Sequence, residues 1–294
     1  LVTDEVKAII EECCDLGPLH NPANLKGIIE CEKIMPVPQV AVFDTSFHQT
    51  MPAMAYMYAL PYEYYDKYRV RKYGFHGTSH SFVSDRAADL EGKDKKDLKI
   101  ITCHLGNGCS ISAIKNGECV DTTMGFTPLD GFMMGTRSGT LDPSTLTYIA
   151  EKEGLSFADI DSICNKKSGV LGISGVSNDN RDVDAAAKSG NERAKLAIDM
   201  QRYQIAKFVG SYIAAMNGVD AIVFTAGLGE NGKSMRKAVC EHLTYLGIEI
   251  DDAANSVRGK DIVISTPNSK VQVMVIPTNE ELMIALDTLA LATK

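Results

Sequence analysis

Residues 99–137 constrain the fold most strongly, because they contain three strand-forming runs separated by two glycine-containing turns. The predicted strands span residues 100–104, 109–114 and 118–123. The first turn is Gly106-Asn107-Gly108, and the second is Asn116-Gly117, a pair that favours a two-residue hairpin. The pattern therefore predicts a strand–turn–strand–turn–strand unit.

The first turn also has the composition of a phosphate-binding loop. Because glycine has no Cβ, backbone N–H groups can approach a ligand there and form a concavity for phosphate oxygens. His104, Asn107 and Ser110 could add side-chain donors, and Arg137 follows downstream between small residues. A guanidinium fixed beside such a turn is typical of phosphoryl-transfer sites. An ordinary hairpin with two tight turns would show the same local pattern.

Two further candidates precede this unit. Asp44 follows an apolar run at 40–43, a predicted buried strand, and ligands of open α/β sheets lie beyond the carboxyl ends of strands. The alternative for Asp44 is an Asx turn that ends the strand. His76 lies between two glycines, before a predicted helix with Thr78 or Ser79 as its cap. A helix N-terminus favours anions, although a histidine in such a position is also commonly structural.

The C-terminal third contains a second nucleotide-type signal. An apolar strand at 220–225 leads into Gly227-Leu228-Gly229, and a predicted helix follows. Strand, glycine turn and helix can bring backbone close to a nucleotide, although the G-x-G spacing alone is weak. After the strand at 271–276, Thr278 and Glu281 fit a capping box. Glu280 could instead face Mg²⁺, which prefers oxygen ligands.

Composition limits the classes of partner. Hydrophobic residues make up 45% of the 294 residues and charged residues 23%, as in soluble globular proteins. The net charge of −8 argues against nucleic acid as the main partner, and the apolar runs are too short to span a bilayer. The eight cysteines contain no C-x-x-C pair, which favours reduced thiols in a cytoplasmic protein over a disulfide framework or zinc site.

Six motifs resemble those of the acetate kinases and occur in the same order: FDTSFHQTMP, YGFHGTSH, HLGNG, DTTMGFTPLDGFMMGTRSG, FTAGLGEN and PTNEEL. The resemblance covers essentially the whole chain. It implies an α/β, ribonuclease-H-like (actin-like ATPase) fold, with two domains and a nucleotide cleft. Residues 1–47 and a C-terminal helix at 281–294 would belong to the acyl-side domain, and residues 48–280 would form the nucleotide-binding domain.

The resemblance further implies direct, in-line phosphoryl transfer between ATP and acetate, giving ADP and acetyl phosphate, with Mg²⁺ or Mn²⁺. Arg137 and His76 would hold the moving phosphoryl group, Asp44 would orient acetate or a metal-bound water, and Glu280 would be the metal-linked carboxylate. A cytoplasmic homodimer is also implied. The residues implied to contact the nucleotide are His104, Leu105, Gly106, Asn107, Gly108, Asp179, Asn180, Arg181, Gly227, Leu228, Gly229, Glu230 and Asn231.

Three alternatives stay open from the sequence. One is a propionate or butyrate kinase of the same family, since one methylene changes discrimination by only about 1–3 kcal/mol. Another is a nucleotide-binding fragment without catalysis, because family members have a further phosphate loop and an acyl-side arginine upstream of this start. The first domain is therefore expected to be incomplete, and the activity of the truncated chain is uncertain. A chaperone-like ATPase has less support, because no substrate-binding region follows the nucleotide domain.

Overall fold

The computed structural model describes residues 1–17 and 20–293, which divide into two compact units. One unit contains Leu1–Phe43 and Asn279–Lys294, and the other contains Asp44–Thr278. The expected boundaries at 47/48 and 280/281 lie a few residues away. Residues 44–47 go with the second unit because the main-chain oxygen of Asp44 accepts a hydrogen bond from the N–H of Gly77 at 2.9 Å.

The first unit is helical, with α1 (Asp4–Glu12), α2 (Asn21–Ile34) and α13 (Glu280–Ala292). The strand predicted at 40–43 does not form in the described structure. A strand requires a paired neighbour, and the described residues form no backbone ladder with residues 40–43. The N–H of Val2 donates to the carbonyl of the preceding residue, Gln39, at 2.9 Å. The predicted capping box is also wrong, because Asn279 caps α13 by accepting from the N–H of Leu282 at 3.0 Å.

The second unit is built on a six-stranded sheet in the order β3-β2-β1-β4-β6-β5. Its strands are β1 (Lys99–Leu105), β2 (Cys109–Lys115), β3 (Glu118–Thr122), β4 (Ala221–Thr225), β5 (Ile262–Val263) and β6 (Gln272–Val275). Strands β1, β4 and β6 are parallel, whereas β2, β3 and β5 run antiparallel to their neighbours. The strand–turn–strand–turn–strand prediction is therefore confirmed.

Ten α-helices accompany this sheet within the described part of the unit. They are α3 (Ala53–Tyr56), α4 (Glu63–Tyr68), α5 (Gly77–Glu91), α6 (Pro143–Glu153), α7 (Phe157–Lys166), α8 (Gly169–Ser174), α9 (Asn180–Lys188), α10 (Glu192–Met216), α11 (Ala226–Asn231) and α12 (Lys233–Glu241). Helices α9 and α10 are separate because Asn191 caps α10, accepting from the N–H of Ala194 at 3.0 Å. No helix in the described residues is long and apolar enough to cross a bilayer.

The two faces of β1 are packed differently. Its alternating residues Ile101, Cys103 and Leu105 belong to the core formed with α10 and α12, and Ile100 packs with α5 on the other face. Thr102 and His104 share that second face and bond to α5 side chains. Helix α5 therefore covers a sheet face that becomes polar toward the carboxyl end of β1, where the glycine turn begins.

Candidate active site

The turn at residues 106–108 joins β1 to β2 and is held by its own backbone. Gly106 donates its N–H to the carbonyl of Gly108 at 3.1 Å, so this N–H is not available to a ligand. The N–H groups of Asn107 and Gly108 have no partner within the described residues. The turn can therefore offer two backbone donors to an anion rather than three.

Neighbouring loops fix the position of Asn107. Its carbonyl accepts from the N–H of Gly135 at 3.2 Å, and its side-chain oxygen accepts from Nδ2 of Asn178 at 3.2 Å. A Cβ at position 135 would collide with that side-chain oxygen, which explains the glycine there. The predicted phosphate turn and the predicted arginine loop are thus in direct contact. Sequence reasoning did not select Asn178, which belongs to the polar loop before α9.

His76 occupies the N-cap of α5 with φ 58° and ψ 27°, a left-handed conformation uncommon outside glycine. Asp44 stabilises this backbone, because its Oδ2 accepts from the N–H of His76 at 2.6 Å. Gly77 must be glycine here, since a Cβ would collide with the main-chain oxygen of Asp44. The structure therefore brings Asp44 and His76 together. The predicted caps Thr78 and Ser79 are wrong, since no side chain caps α5.

Arg137 and His76 approach the glycine turn from two elements. A Cβ placed on Gly108 would lie 3.3 Å from Nη1 of Arg137 and 3.5 Å from Nε2 of His76. The N-terminus of α8 holds the loop that carries Arg137. Val170 donates its N–H to the carbonyl of Met134 at 2.8 Å, and Leu171 donates its N–H to the carbonyl of Gly135 at 2.9 Å. A guanidinium and an imidazole thus converge where an anion at the turn would bind.

A cluster of histidines lies between α5 and the sheet. The rings of His76 and His104 stack with centroids 4.0 Å apart, and Nδ1 of His104 bonds to Oγ of Ser79 at 2.8 Å. Ser110 was expected to offer its hydroxyl to a phosphate. Its Oγ is instead fully buried, 2.8 Å from Nδ1 of His76 and 2.7 Å from Nε2 of His80.

Burial keeps these histidines uncharged. Desolvation lowers the pKa of His76 to about 4, with the charge of Arg137 acting in the same direction. Desolvation lowers the pKa of His104 to about 3 and that of His80 well below its usual value. At neutral pH each ring therefore has one N–H donor and one lone-pair acceptor.

The residues predicted to contact the nucleoside at the start of α9 already have hydrogen-bond partners within the protein. Asp179 caps the helix by accepting from the N–H of Arg181 at 2.8 Å. The Arg181 guanidinium also lowers the pKa of the Asp179 carboxyl to about 2. Asn180 donates from Nδ2 to Oε1 of Gln201 at 3.3 Å. The buried Oδ1 of Asn180 has no partner among the residues that the structure describes. A ligand donor could satisfy that atom.

The segment Gly227–Asn231 is helical and belongs to α11, rather than forming a glycine turn. Gly227 is exposed, and nothing lies within 4 Å of the position its Cβ would take. Glu230 is committed to the fold, because its Oε1 accepts from the N–H groups of Ala226 at 2.9 Å and Thr278 at 3.3 Å. Asn231 likewise donates from Nδ2 to the carbonyl of Gly227 at 2.9 Å. The exposed backbone of Gly227 is therefore open to a ligand.

Arg236 was not selected from the sequence, although it anchors the same segment. Its guanidinium is almost fully buried and donates to the carbonyls of Gly229 at 2.7 Å and Glu230 at 2.9 Å. It also donates to Oδ1 of Asn255 at 2.8 Å. Nothing in the local sequence distinguishes Arg236 from a surface arginine, because its side-chain partner Asn255 lies 19 residues further along the chain.

The family model described as the Acetokinase family matches residues 1–286. The chain belongs to the acetokinase family. The acetate kinase of Lachnoclostridium phytofermentans is 63% identical over 292 residues, which cover 99% of this chain and 74% of that protein. The chain therefore spans about three quarters of the length of this relative.

Solved structures of similar proteins agree with this assignment. The Porphyromonas gingivalis acetate kinase matches with a TM-score of 0.96 and 56% identity, covering 98% of this chain and 73% of that one. A propionate kinase from Francisella tularensis matches with a TM-score of 0.90 and 49% identity, covering 97% and 73%. The expected α/β, ribonuclease-H-like fold is thereby confirmed.

Kinases generally require a divalent metal, and the sequence predicts that Glu280 is linked to it and that Asp44 orients acetate or a metal-bound water. No group of three or more His, Cys, Asp or Glu in residues 1–17 and 20–293 could hold an ion. Mg²⁺ commonly uses one or two carboxylates together with substrate phosphates, so such a group is not required. Asp44 could orient acetate or a metal-bound water, because its Oδ1 has no hydrogen-bond partner in that part of the chain. Glu280 begins α13 in the other unit, and its metal role stays a prediction.

The buried histidines predict a loss of stability in acid. Burial lowers the pKa of His48 from 6.5 to about 4, so between these values the unfolded chain binds a proton that the folded chain does not. Stability should therefore fall as the pH is lowered through this window, by about 1.4 kcal/mol per pH unit for each such histidine. Urea unfolding at several pH values measures the slope. His48→Gln should reduce the dependence of the unfolding free energy on pH, whereas His242→Gln, at the surface, should leave it unchanged. The same pH dependence in His48→Gln and in the wild-type protein would contradict the prediction.

Proposed function

We propose that this protein catalyses reversible transfer of the γ-phosphoryl group of ATP to acetate, giving acetyl phosphate and ADP. The observation that carries the proposal is the convergence of Nη1 of Arg137 and Nε2 of His76 at Gly108, in an acetokinase-family chain. The 63% identity to an acetate kinase supports the choice of acetate. Reversible, in-line transfer requires positioning and charge neutralisation rather than a covalent intermediate.

Each group at the turn has a role in this reaction. The N–H groups of Asn107 and Gly108 bind phosphate oxygens of the nucleotide. Arg137 neutralises charge that develops on the equatorial oxygens of the moving phosphoryl group, and His76 donates a hydrogen bond to the same oxygens. Acetate is already ionised at neutral pH, so no side chain has to remove a proton from it. Asp44 positions His76 through the bond to its backbone N–H.

The nucleotide and a metal complete the site. We assign nucleoside contacts to the residues at the start of α9 and to α11, where Gly227 is open and Oδ1 of Asn180 lacks a partner in the described structure. Mg²⁺ is the proposed metal, with Mn²⁺ as the alternative, and Glu280 is the proposed metal-linked carboxylate. When bound to the nucleotide, the metal would neutralise phosphate charge.

The main alternative is a longer acyl substrate, since a propionate kinase also matches this chain with 49% identity. Acyl phosphate formation from ATP can be measured with acetate, propionate and butyrate by trapping the product as a hydroxamate. We expect the highest kcat/KM for acetate. A higher value for butyrate or propionate would overturn the choice of substrate and leave the reaction class intact.

We also propose that the protein is a cytoplasmic homodimer. Its eight cysteines are all free thiols, as is usual in a reducing compartment. Tyr62, the N-cap of α4, and Tyr68, at its end, are both more than half exposed. Tyrosine is enriched at protein interfaces. Light scattering should give about twice the 31.9 kDa chain mass, and Tyr68→Glu should lower it. A monomer in the wild-type protein would contradict the proposal.

The contact between Gly135 and Asn107 provides a prediction about nucleotide binding. In Gly135→Ala the new Cβ would displace the side chain of Asn107 and break its bond to Asn178. We expect the nucleotide KM to rise about fivefold, the equivalent of one net hydrogen bond. Gly27→Ala is the matched control, because nothing lies within 4 Å of that position and its φ is not positive. If both variants have the wild-type KM, the turn does not contact the nucleotide.

A further inference from the structure

We propose that Thr102, His80 and Ser110 form a hydrogen-bond relay that fixes His76 in the tautomer with its proton on Nε2. These three are positioning residues, since they act on His76 and not on a substrate. The tautomer follows from the fold alone, whereas its value for phosphoryl transfer rests on the proposed function. None of these three side chains was predicted from the sequence to orient His76.

The contacts form one continuous line from the sheet to the turn. Oγ1 of Thr102 lies 2.7 Å from Nδ1 of His80, and Nε2 of His80 lies 2.7 Å from Oγ of Ser110. Oγ of Ser110 then lies 2.8 Å from Nδ1 of His76. The side chains of Thr102, His80 and Ser110 are completely buried, so water cannot replace a hydrogen-bond partner in this line.

A line of this kind can be protonated in only two directions without leaving the buried Ser110 proton unpaired, because each hydroxyl and each neutral ring has one proton to donate along it. In the first direction Thr102 donates to His80, His80 donates to Ser110, and Ser110 donates to Nδ1 of His76. The remaining proton of His76 is then on Nε2. In the second direction every bond is reversed, and His76 donates from Nδ1.

The Thr102 hydroxyl decides between the two directions. If the line ran in reverse, the proton of this buried hydroxyl would need another acceptor. Within the described residues, Oγ1 of Thr102 has no hydrogen-bond partner other than Nδ1 of His80. Buried donors are rarely left without an acceptor. The first direction satisfies every hydroxyl and ring N–H in the line up to Nε2 of His76, so it is the one that the fold favours.

The neighbouring rings do not compete with this relay. Nδ1 of His104 bonds to Oγ of Ser79, and the ring of His104 only stacks on that of His76. Burial lowers the pKa of both His76 and His80, which keeps each ring neutral and limited to one donor. The line from Thr102 therefore reaches Nδ1 of His76 without a branch through His104.

The tautomer determines what His76 presents at the turn. Its Nε2 is the ring atom near Gly108 and Arg137. With the proton on Nε2, the ring donates to a phosphoryl oxygen there, whereas the other tautomer would direct a lone pair at that oxygen. The relay thus prepares a neutral donor before substrate binds, which avoids reorganisation during the reaction.

The test combines two variants of Thr102 with a matched control. Thr102→Val removes the hydroxyl with little change of shape, and Thr102→Ser restores it. Ser112→Ala removes another buried hydroxyl two residues beyond Ser110 on β2, where it bonds to Thr122 and to no histidine. Nitrogen-15 NMR of histidine-labelled protein reports which ring nitrogen of each histidine is protonated, with His76 assigned by substitution.

We expect Nε2–H for His76 in the wild-type protein, in Thr102→Ser and in Ser112→Ala. In Thr102→Val the two tautomers should mix, and kcat should fall at least about twofold at unchanged nucleotide KM, in proportion to the lost Nε2–H population. A wild-type spectrum with the proton on Nδ1 overturns the relay, whatever the activity and even if Thr102→Val fails to fold. An unchanged tautomer in folded Thr102→Val also overturns it. If the tautomers behave as expected but no acyl phosphate forms, the relay stands and the proposed function falls.

Discussion

Replacing Arg137 by alanine is expected to lower kcat about a thousandfold and to change the nucleotide KM by less than about tenfold. Arginines that meet the transition state of phosphoryl transfer contribute factors of about 10³–10⁵. The guanidinium lies near Gly108 together with His76. Its protein contacts are weak, with Nη1 3.4 Å from the carbonyl of Pro128, so its removal should leave the fold intact. An interaction made mainly in the transition state affects kcat more than KM.

Steady-state kinetics in both directions of the reaction provide the measurement. Arg86→Ala is the matched control, because Arg86 lies on α5 and has no contact with the glycine turn among the described residues. Its Nη2 pairs with Oδ2 of Asp261 at 2.6 Å. Arg137→Lys should recover only part of the rate, since lysine keeps the charge and loses the planar, two-pronged geometry. A near-normal kcat for Arg137→Ala would remove Arg137 from the mechanism.

The second large effect is expected for His76→Ala, which should lower kcat about a hundredfold through loss of one oriented donor. The pH dependence of the remaining activity should keep its shape. Burial lowers the pKa of His76 to about 4, so the ring is neutral on both sides of pH 7 and does not titrate there. His242→Ala, at an exposed histidine, should be close to wild type.

The pH profile also separates the donor role from acid–base catalysis. If the wild-type profile contained an ionisation near pH 6–7 that disappeared in His76→Ala, His76 would be acting as a general acid or base. That result would contradict the assignment of a neutral donor. It would also require a charged state that the burial of the ring opposes.

The centre of the second unit could be predicted because its signals are local. Asn116-Gly117 specifies a tight hairpin, and the glycine turn at 106–108 divides two runs of alternating or apolar residues. Both turns connect strands in the structure, with the predicted bounds shifted by two residues or fewer. The proximity of Asp44 to His76 could not be predicted in this way. Asp44 follows a segment that forms no strand and reaches α5 through a backbone contact.

Side-chain roles depended on information that a single sequence does not contain. Ser110 lies opposite His104 in the register of β1 and β2, so it faces α5 and contacts His80 instead of a ligand. Glu230 has the residue type of a binding group, yet two backbone N–H groups occupy its Oε1. The spacing of His76 and His80, four residues apart near the start of one helix, was the one sequence signal that paired them.

The stoichiometry of acetyl phosphate and ADP, measured together during turnover of ATP with and without acetate, tests the central claim most directly. Direct transfer at the turn with His76 and Arg137 predicts one acetyl phosphate for each ADP. It also predicts almost no ADP when acetate is left out, since water should not replace the acyl acceptor. ADP formed at the same rate without acetate, and without acetyl phosphate, would contradict the account and indicate a nucleotide hydrolase.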